Sequence, residues 1–200
     1  MYVMWVVESR SVQREGVRGA ARRALTSEIA VRAVELFVRQ GFEETTVDQI
    51  AAEVGMSTRS LFRYFPSKED MIVGDLVELG YAVAAALRDR PPGEAPWVAL
   101  RQALQVCVDS LESSGQQRAA MLATTPTLRI AMIKKHQRWQ ELLAPQLAER
   151  LTGSETDLRA QALVASALSC LDVAATKWTL SNGSARLGAL LDLTIAAVRA

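Results

Sequence analysis

"TTVDQIAAEVGMSTRSLFRYFPSKED", residues 45–70, holds two short apolar stripes parted by Gly55-Met56-Ser57. Thr46 stands three places before Gln49, a capping-box spacing in which the hydroxyl takes the N3 amide while the glutamine reaches back. Val47, Ile50, Ala51 and Val54 then form one helical stripe, which Gly55 stops after about two turns. Ser57 is a second N-cap, and Leu61 and Phe65, four apart, share the face that must turn inward. Two short helices joined by a brief turn, with glycine where the backbone bends sharply, predict a helix-turn-helix.

With Leu61 and Phe65 as anchors, Thr58, Arg59, Ser60, Phe62, Arg63 and Tyr64 are left for solvent or a partner. Cations, hydroxyls and flat rings together suit a DNA major groove, with base edges at the N-terminal turn and phosphates at the flanks. Pro66 cannot continue that helix, and Ser67 caps the next one with Asp70 as its N3 partner. Lys68 then falls on a helical first turn, where free amides and the dipole's positive end favour a phosphate. Between Ser57 and Lys68 the cations Arg59, Arg63 and Lys68 face no acid. A merely solvated charged face would not need these caps, this turn and these aromatics at once.

Upstream, Ile29, Ala33, Leu36 and Phe37 recur at helical spacing, and Gly41 is the expected C-cap with Phe42 packing back. Ordered structure is expected to begin near Thr26. Residues 9–23 carry Arg10, Arg14, Arg18, Arg22 and Arg23 against Glu15 alone, which predicts a flexible basic arm over 1–25 able to follow phosphates or enter a minor groove. An unstructured leader would have the same composition.

The chain of 200 residues is 50% apolar, mostly Ala, Leu and Val, which favours helix and supplies a core. Its net charge of +1 says nothing as a sum; the distribution carries the information. Cys107 and Cys170 lack metal-type spacing and read as buried thiols in a reducing compartment. The opening "MYVMWVVESR" makes a poor signal peptide, and the apolar stretch 162–180 contains Asp172 and Lys177, so it reads as a buried helix, not a membrane span. A soluble cytoplasmic protein is expected. No Gly-rich phosphate loop, nucleophile elbow or metal spacing occurs, and the single histidine has no acid motif beside it. No enzyme, metal or cofactor is expected.

Residues 26–75, and within them "AVELFVRQGFEETTVDQIAAEVGMSTRSLFRYFPSKEDM", resemble the tetracycline-repressor (TetR) family of bacterial regulators. The apolar helix, Gly-Phe, Thr-Thr-Val, Ile-Ala, Gly-x-Ser, aromatic-x-x-Phe and Phe-Pro-Ser-Lys-Glu agree in order and spacing. The resemblance implies an all-α homodimer with a helical ligand-sensing domain, and usually repression of a nearby promoter. Members often carry Tyr where this chain has Phe62, which offers a phosphate no hydroxyl; Tyr64 keeps its own. The expected DNA-contacting set is Thr45, Thr46, Ser57, Thr58, Arg59, Ser60, Phe62, Arg63, Tyr64 and Lys68, within a three-helix helix-turn-helix domain over 26–72.

The helical ligand-binding and dimerisation domain is expected over 73–200. A linking helix over 67–89 precedes the break "RPPGEAPW" (90–97), and helices follow over 97–113, 116–124, 127–151 with Pro145 inside, 157–180 and 185–199. "RIAMIKKHQRWQELLAPQLAERL" (129–151) further resembles effector domains of certain actinobacterial members. On the last two helices Leu163, Ala167, Leu171, Ala174 and Trp178, then Leu187, Leu190, Leu191, Thr194, Ile195 and Val198, form broad faces suited to a four-helix bundle between two subunits; an intramolecular core would use the same pattern. Trp97, Leu104, Cys107, Val108, Leu111, Met121, Met132, His136 and Trp139 are the candidate pocket for a small apolar or amphipathic effector, with Asp109, Arg129 and Asp172 as further polar candidates. Each apolar one could equally be ordinary core. The expected function is a ligand-responsive transcriptional regulator, a repressor binding a palindromic DNA operator as a dimer. A transcriptional activator or a non-sensing architectural DNA binder is the alternative.

Overall fold

A computed structural model describes the backbone of residues 4–199 except 74, 115, 182 and 183; side chains are described from residue 19 onward, apart from 20, 23, 74, 75, 77, 114, 115, 182, 183 and 200. The described residues form helices and no strand, in two compact units, Met1–Ile72 and Val73–Ala200.

The first unit is built from α1 (Met4–Gln40), α2 (Val47–Glu53), α3 (Thr58–Leu61) and the start of α4 (Lys68–Val73). Its α1 is helical from Met4, not from Thr26, so the backbone is regular where the basic composition predicts a flexible arm. Arg10, Arg14, Arg18 and Arg23 lie outside the described side chains; Arg22 does not. Gly41, at φ 92°, ends α1 by donating its amide to the Phe37 carbonyl at 2.8 Å, a left-handed turn that glycine makes without steric cost. That turn drops the Phe42 ring onto Phe37, with centroids 5.0 Å apart. Ile29, Ala33, Leu36, Ile50, Ala51, Leu61 and Phe65 close the core around this pair.

The second unit contains α5 (Asp75–Arg88), α6 (Pro96–Ala103), α7 (Gln105–Ser114), α8 (Gln116–Thr124), α9 (Pro126–Ala148), α10 (Thr156–Leu180) and α11 (Leu187–Arg199). The linking helix expected over 67–89 is described as α4 and α5 on either side of residue 74, and the helix expected over 97–113 breaks at Leu104, where the Cys107 amide turns back to the Leu104 carbonyl at 3.0 Å. Pro145, whose missing N–H removes one bond of the ladder, does not split α9, which runs on to Ala148. Among the described residues α10 is the one helix long and apolar enough to cross a membrane by length and composition. It packs against α8, α9 and α11, as a core helix would. Arg150 closes the C-terminal end of α5, donating to the carbonyls of Leu87, Arg88, Arg90 and Pro91 at 2.7–3.3 Å. The Glu112 carboxylate accepts the Leu187 amide at 3.1 Å and so caps α11.

The faces read as intersubunit need correcting here. Ala167, Leu171, Ala174, Trp178, Leu187, Leu191 and Ile195 are buried within the chain's own core, with Leu163 and Leu190 half-buried against them. The Thr194 hydroxyl donates inward, to the Cys170 carbonyl at 3.1 Å. Of that set Val198 is exposed, and the apolar residues that α10 and α11 present outward are Leu158, Val173, Leu180, Leu193 and Val198. Packing α10 on α11 inside one subunit consumes the stripe with the strongest periodicity.

Candidate DNA-reading face and effector cavity

Thr46 makes the full capping box of α2: its hydroxyl accepts from the Gln49 amide at 3.2 Å, and its own amide donates to the Gln49 side chain at 2.8 Å. Gly55, at φ 68°, then reverses the chain, and the Met56 amide reaches the Ala51 carbonyl at 2.9 Å. Ser57 caps α3 through the Ser60 amide at 3.2 Å, and its hydroxyl pairs with that of Ser60 at 3.0 Å. The Thr58 hydroxyl donates to Asp48 at 2.6 Å, tying the first turn of α3 to the first turn of α2. Regular helix ends at Leu61, and a tight turn carries the chain to Phe65, with the amides of Tyr64 and Phe65 both on the Leu61 carbonyl. Leu61 and Phe65 are buried as expected.

These bonds sort the expected DNA-contacting set. Arg59, Phe62 and Arg63 are exposed, and Tyr64 is half-buried beneath the Arg22 guanidinium, 5.6 Å above its ring. Arg22 also donates to the Arg63 carbonyl at 3.4 Å, so α1 braces the end of the reading turn. Thr46, Ser57, Thr58 and Ser60 spend their hydroxyls on caps and on Asp48. Thr45 is a correction: it is 1% exposed and its hydroxyl donates to the Gly41 carbonyl at 2.7 Å, so no DNA can reach it. Lys68 is bound inward as well. Its ammonium donates to the carbonyls of Phe42 and Thr45 at 2.7 and 3.1 Å and lies 4.3 Å from the Phe42 ring centroid. It clamps the loop ahead of α2, and both carbonyls would be orphaned without it.

Within the second unit a cavity of about 610 Å³ lies among α5, α7, α8, α9 and α10. Of the expected pocket residues, Cys107, Leu111, Met132, His136 and Trp139 line it. Leu104 and Val108 belong to the closed core, Trp97 packs against that core, and Met121 is half-buried away from the cavity walls. Arg129 and Asp172 line it too, whereas Asp109 is exposed and accepts from Gln105 at 2.7 Å. Leu76, Leu79, Lys135 and Thr176 were missed as lining. The Lys135–Trp139 spacing of four was the available signal, since it sets a cation over an indole one turn away.

Trp139 is the structural pivot of this cavity. It is 1% exposed, its indole N–H donates to the Leu76 carbonyl at 2.8 Å, and it sits against Gly80, where a Cβ would lie 2.5 Å from Nε1. Lys135, 6% exposed, places its ammonium 4.3 Å from the indole centroid. His136 Nδ1 is 3.3 Å from Asp172 Oδ2, while its buried Nε2 has no partner among the described residues. Burial holds the imidazole neutral, pushing its pKa down to about 3, and Lys135 pushes the same way. Burial lifts the Asp172 carboxyl to about 6 against the opposing pull of Lys135. Burial also pushes the Cys107 thiol up to about 12, which removes its thiolate at neutral pH and argues against a thiol sensor.

Residues 29–73 match the model of the family described as "Bacterial regulatory proteins, tetR family", and residues 90–200 match that of the "MftR C-terminal domain". The transcriptional regulator TcmR of Streptomyces glaucescens is 33% identical over 132 residues; the match takes in 66% of this chain but only 56% of that relative. In fold, the chain is similar to the FadR repressor of Thermus thermophilus solved with lauroyl-CoA (TM-score 0.58, 20% identity, 86% of this chain and 91% of that one). It is similar likewise to Bacillus subtilis FadR solved with stearoyl-CoA (TM-score 0.57, 18% identity, 84% and 94%).

Proposed function

The chain belongs to the tetR family of bacterial regulatory proteins, and from that premise we propose that it is a cytoplasmic, ligand-responsive transcriptional repressor that binds a palindromic operator as a homodimer. A small apolar or amphipathic effector entering the cavity releases it. The cavity of about 610 Å³, inside the size range of small-molecule sites, is the observation that carries the reading. A domain that only held two DNA-binding units together would gain stability by filling that space.

In this reading Arg59, on the first turn of α3, meets a base edge, and Arg63, Phe62 and Tyr64 flank it. Lys68, Thr46, Ser57 and Thr58 fix the posture of that turn. The exposed apolar residues Val173, Leu180, Leu193 and Val198 take the place of the earlier stripe as the face joining two subunits. Leu76 and Leu79 bring α5, which starts just after α4 in the chain, into the cavity wall, so occupancy can bias α5. Two fold relatives were solved with acyl-CoA thioesters, which makes acyl amphiphiles the first class to screen.

The test is fluorescence anisotropy on DNA from upstream of the protein's own coding sequence, with and without a saturating hit from a thermal-shift screen. Linkage requires that ligand and operator weaken each other by one common factor, typically about 5–150-fold. Two independent affinities would refute the coupling and leave an architectural DNA binder.

A further inference from the structure

Of the polar side chains on the cavity wall, Arg129 and Thr176 are exposed, whereas Lys135, His136 and Asp172 are more enclosed. His136 on α9 and Asp172 on α10 meet along that wall, with Nδ1 3.3 Å from Oδ2. Asp172, with a pKa of about 6, is ionised at neutral pH, and the imidazole is neutral. A neutral imidazole facing a carboxylate keeps its one proton on Nδ1, so Nε2 carries a lone pair. Nε2 is buried and unpaired among the described residues. Among those residues Asp172 accepts from His136 alone, and its side chain is 44% exposed. The pair therefore offers acceptors on its free sides and no donor. An enclosed acceptor without a donor is costly, so such a pair on a cavity wall calls for a donor from the guest.

We propose that the His136–Asp172 pair is the polar recognition element of this cavity and selects an uncharged amphiphile whose hydroxyl donates to it, while the hydrocarbon part lies against Leu79, Leu111, Leu122 and Trp139. The proposal rests on the reading of the cavity as the effector site and names the class of molecule that site takes. Both kinds of charged head fit worse, for separate reasons. A carboxylate head would set its oxygens against a carboxylate and a nitrogen lone pair, with no proton between them. An ammonium head could donate, but it would enter the surroundings that already keep the imidazole uncharged, where burial and the Lys135 charge both oppose a second cation. A hydroxyl donates one proton and brings no charge to desolvate. Trp139 adds no competing donor, because its indole N–H is committed to the Leu76 carbonyl at 2.8 Å. The apolar remainder of the guest gains affinity from burial whatever head it carries, so the pair does the choosing.

The experiment titrates the full-length protein by calorimetry with decanol, decyl methyl ether, decanoate and decylammonium, each below its solubility or micelle limit. The ether keeps the chain and an oxygen acceptor but has no donor. The expected result is decanol binding at least about tenfold more tightly than the ether, with both ions weaker than decanol. His136→Phe together with Asp172→Leu replaces the pair by apolar groups and orphans neither partner, so the ether should bind as before and decanol should lose its advantage. Heteronuclear NMR of the chain's only histidine should show the imidazole proton on Nδ1 and none on Nε2. Equal binding of decanol and ether, an advantage that survives in the double variant, tighter binding of either ion, a proton on Nε2, or no binding by any of the four probes overturns the proposal. Should the double variant fail to fold, the comparison of alcohol with ether on the wild-type protein decides alone. Operator release is read separately. Decanol that binds with this preference without releasing DNA sinks the effector reading and leaves the hydroxyl site standing, whereas release by decanol and the ether with equal affinities does the reverse.

Discussion

Gly80→Ala is the sharpest perturbation the second unit offers. In an open helix the change would gain about 1 kcal/mol, because alanine loses less backbone entropy on folding. Here the new methyl would stand 2.5 Å from Trp139 Nε1, 2.7 Å from Cδ1 and 3.0 Å from Cε2. The indole is 1% exposed and tethered to the Leu76 carbonyl at 2.8 Å, one helical turn before Gly80, so it cannot swing clear cheaply. Overpacking of this kind costs about 1–3 kcal/mol. Retreat of the ring would also break its hydrogen bond and leave a buried N–H unpaired, at about 1–3 kcal/mol more. Set against the propensity gain, the net loss is roughly 1–5 kcal/mol. The clash wins.

Urea unfolding followed by circular dichroism measures it, with Gly93→Ala as the control, since no atom lies within 4 Å of a Cβ there and the change should stay within about ±0.5 kcal/mol. Trp139→Phe in the same chain makes room for the methyl, so the double variant should lose less than the two singles together. A retreating indole would enter the cavity it lines, so Gly80→Ala should also bind any thermal-shift hit of the effector screen more weakly. If Gly80→Ala were as stable as wild type, the close approach of α5 to α9 at Trp139 would be wrong.

Arg150→Met should cost about 1–3 kcal/mol in the same assay, because the α5 carbonyls it serves lose a charged donor, and a neutral result would show that water replaces it fully. Lys68→Met should lower the melting temperature of the first unit and weaken every DNA sequence alike while leaving the salt slope unchanged; a slope reduced by about one would instead mark a phosphate contact. Arg59→Ala should cost about 1–3 kcal/mol at one operator position and relax preference there, and a sequence-blind loss would remove it from the reading role. For His136 the folded pKa of about 3 lies below the ordinary 6.5, so protons favour the unfolded chain and stability falls as pH drops from 6.5 toward 3. The raised carboxyl of Asp172 works in the opposite sense, losing stability as pH rises from 3.8 through about 6, so His136→Gln should flatten or reverse the acid limb, and an unaltered limb would refute the buried neutral imidazole.

The helix-turn-helix was legible because its signals are local. A cap, its N3 partner and a glycine at the bend act within a few residues, and the structure places each bond where the spacing predicts it. The fate of Lys68 was not legible. Its partners are carbonyls 23 and 26 positions away, and nothing in "FPSKED" says that the ammonium turns back to them. Thr45 fails for the same reason, since a hydroxyl beside a cap reads as exposed until Gly41 folds its carbonyl underneath. The cavity was half legible: periodicity finds inward-facing residues, but only packing decides whether an inward residue meets another side chain, as Leu104 does, or an open chamber, as Met132 does.

The α10 and α11 stripes carry this one step further. Helical periodicity reports that a face is buried, and it is silent about who buries it. Leu171 and Leu191 satisfy the spacing equally well against a second subunit or against each other's helix, and intramolecular contact has the advantage, because chain connectivity has already met the entropy of bringing α10 and α11 together. What then marks a surface for a partner is a second apolar row on a helix whose first row is spent. On α10 that row contains Leu158, Val173 and Leu180, on α11 Leu193, and all four are more than half exposed. Val173→Asp with Leu193→Asp should therefore convert a dimer to monomers in sedimentation velocity while leaving the helical signal intact, and should abolish tight binding to a palindromic site. A double variant that still sediments as the dimer would place the subunit contact elsewhere on the chain.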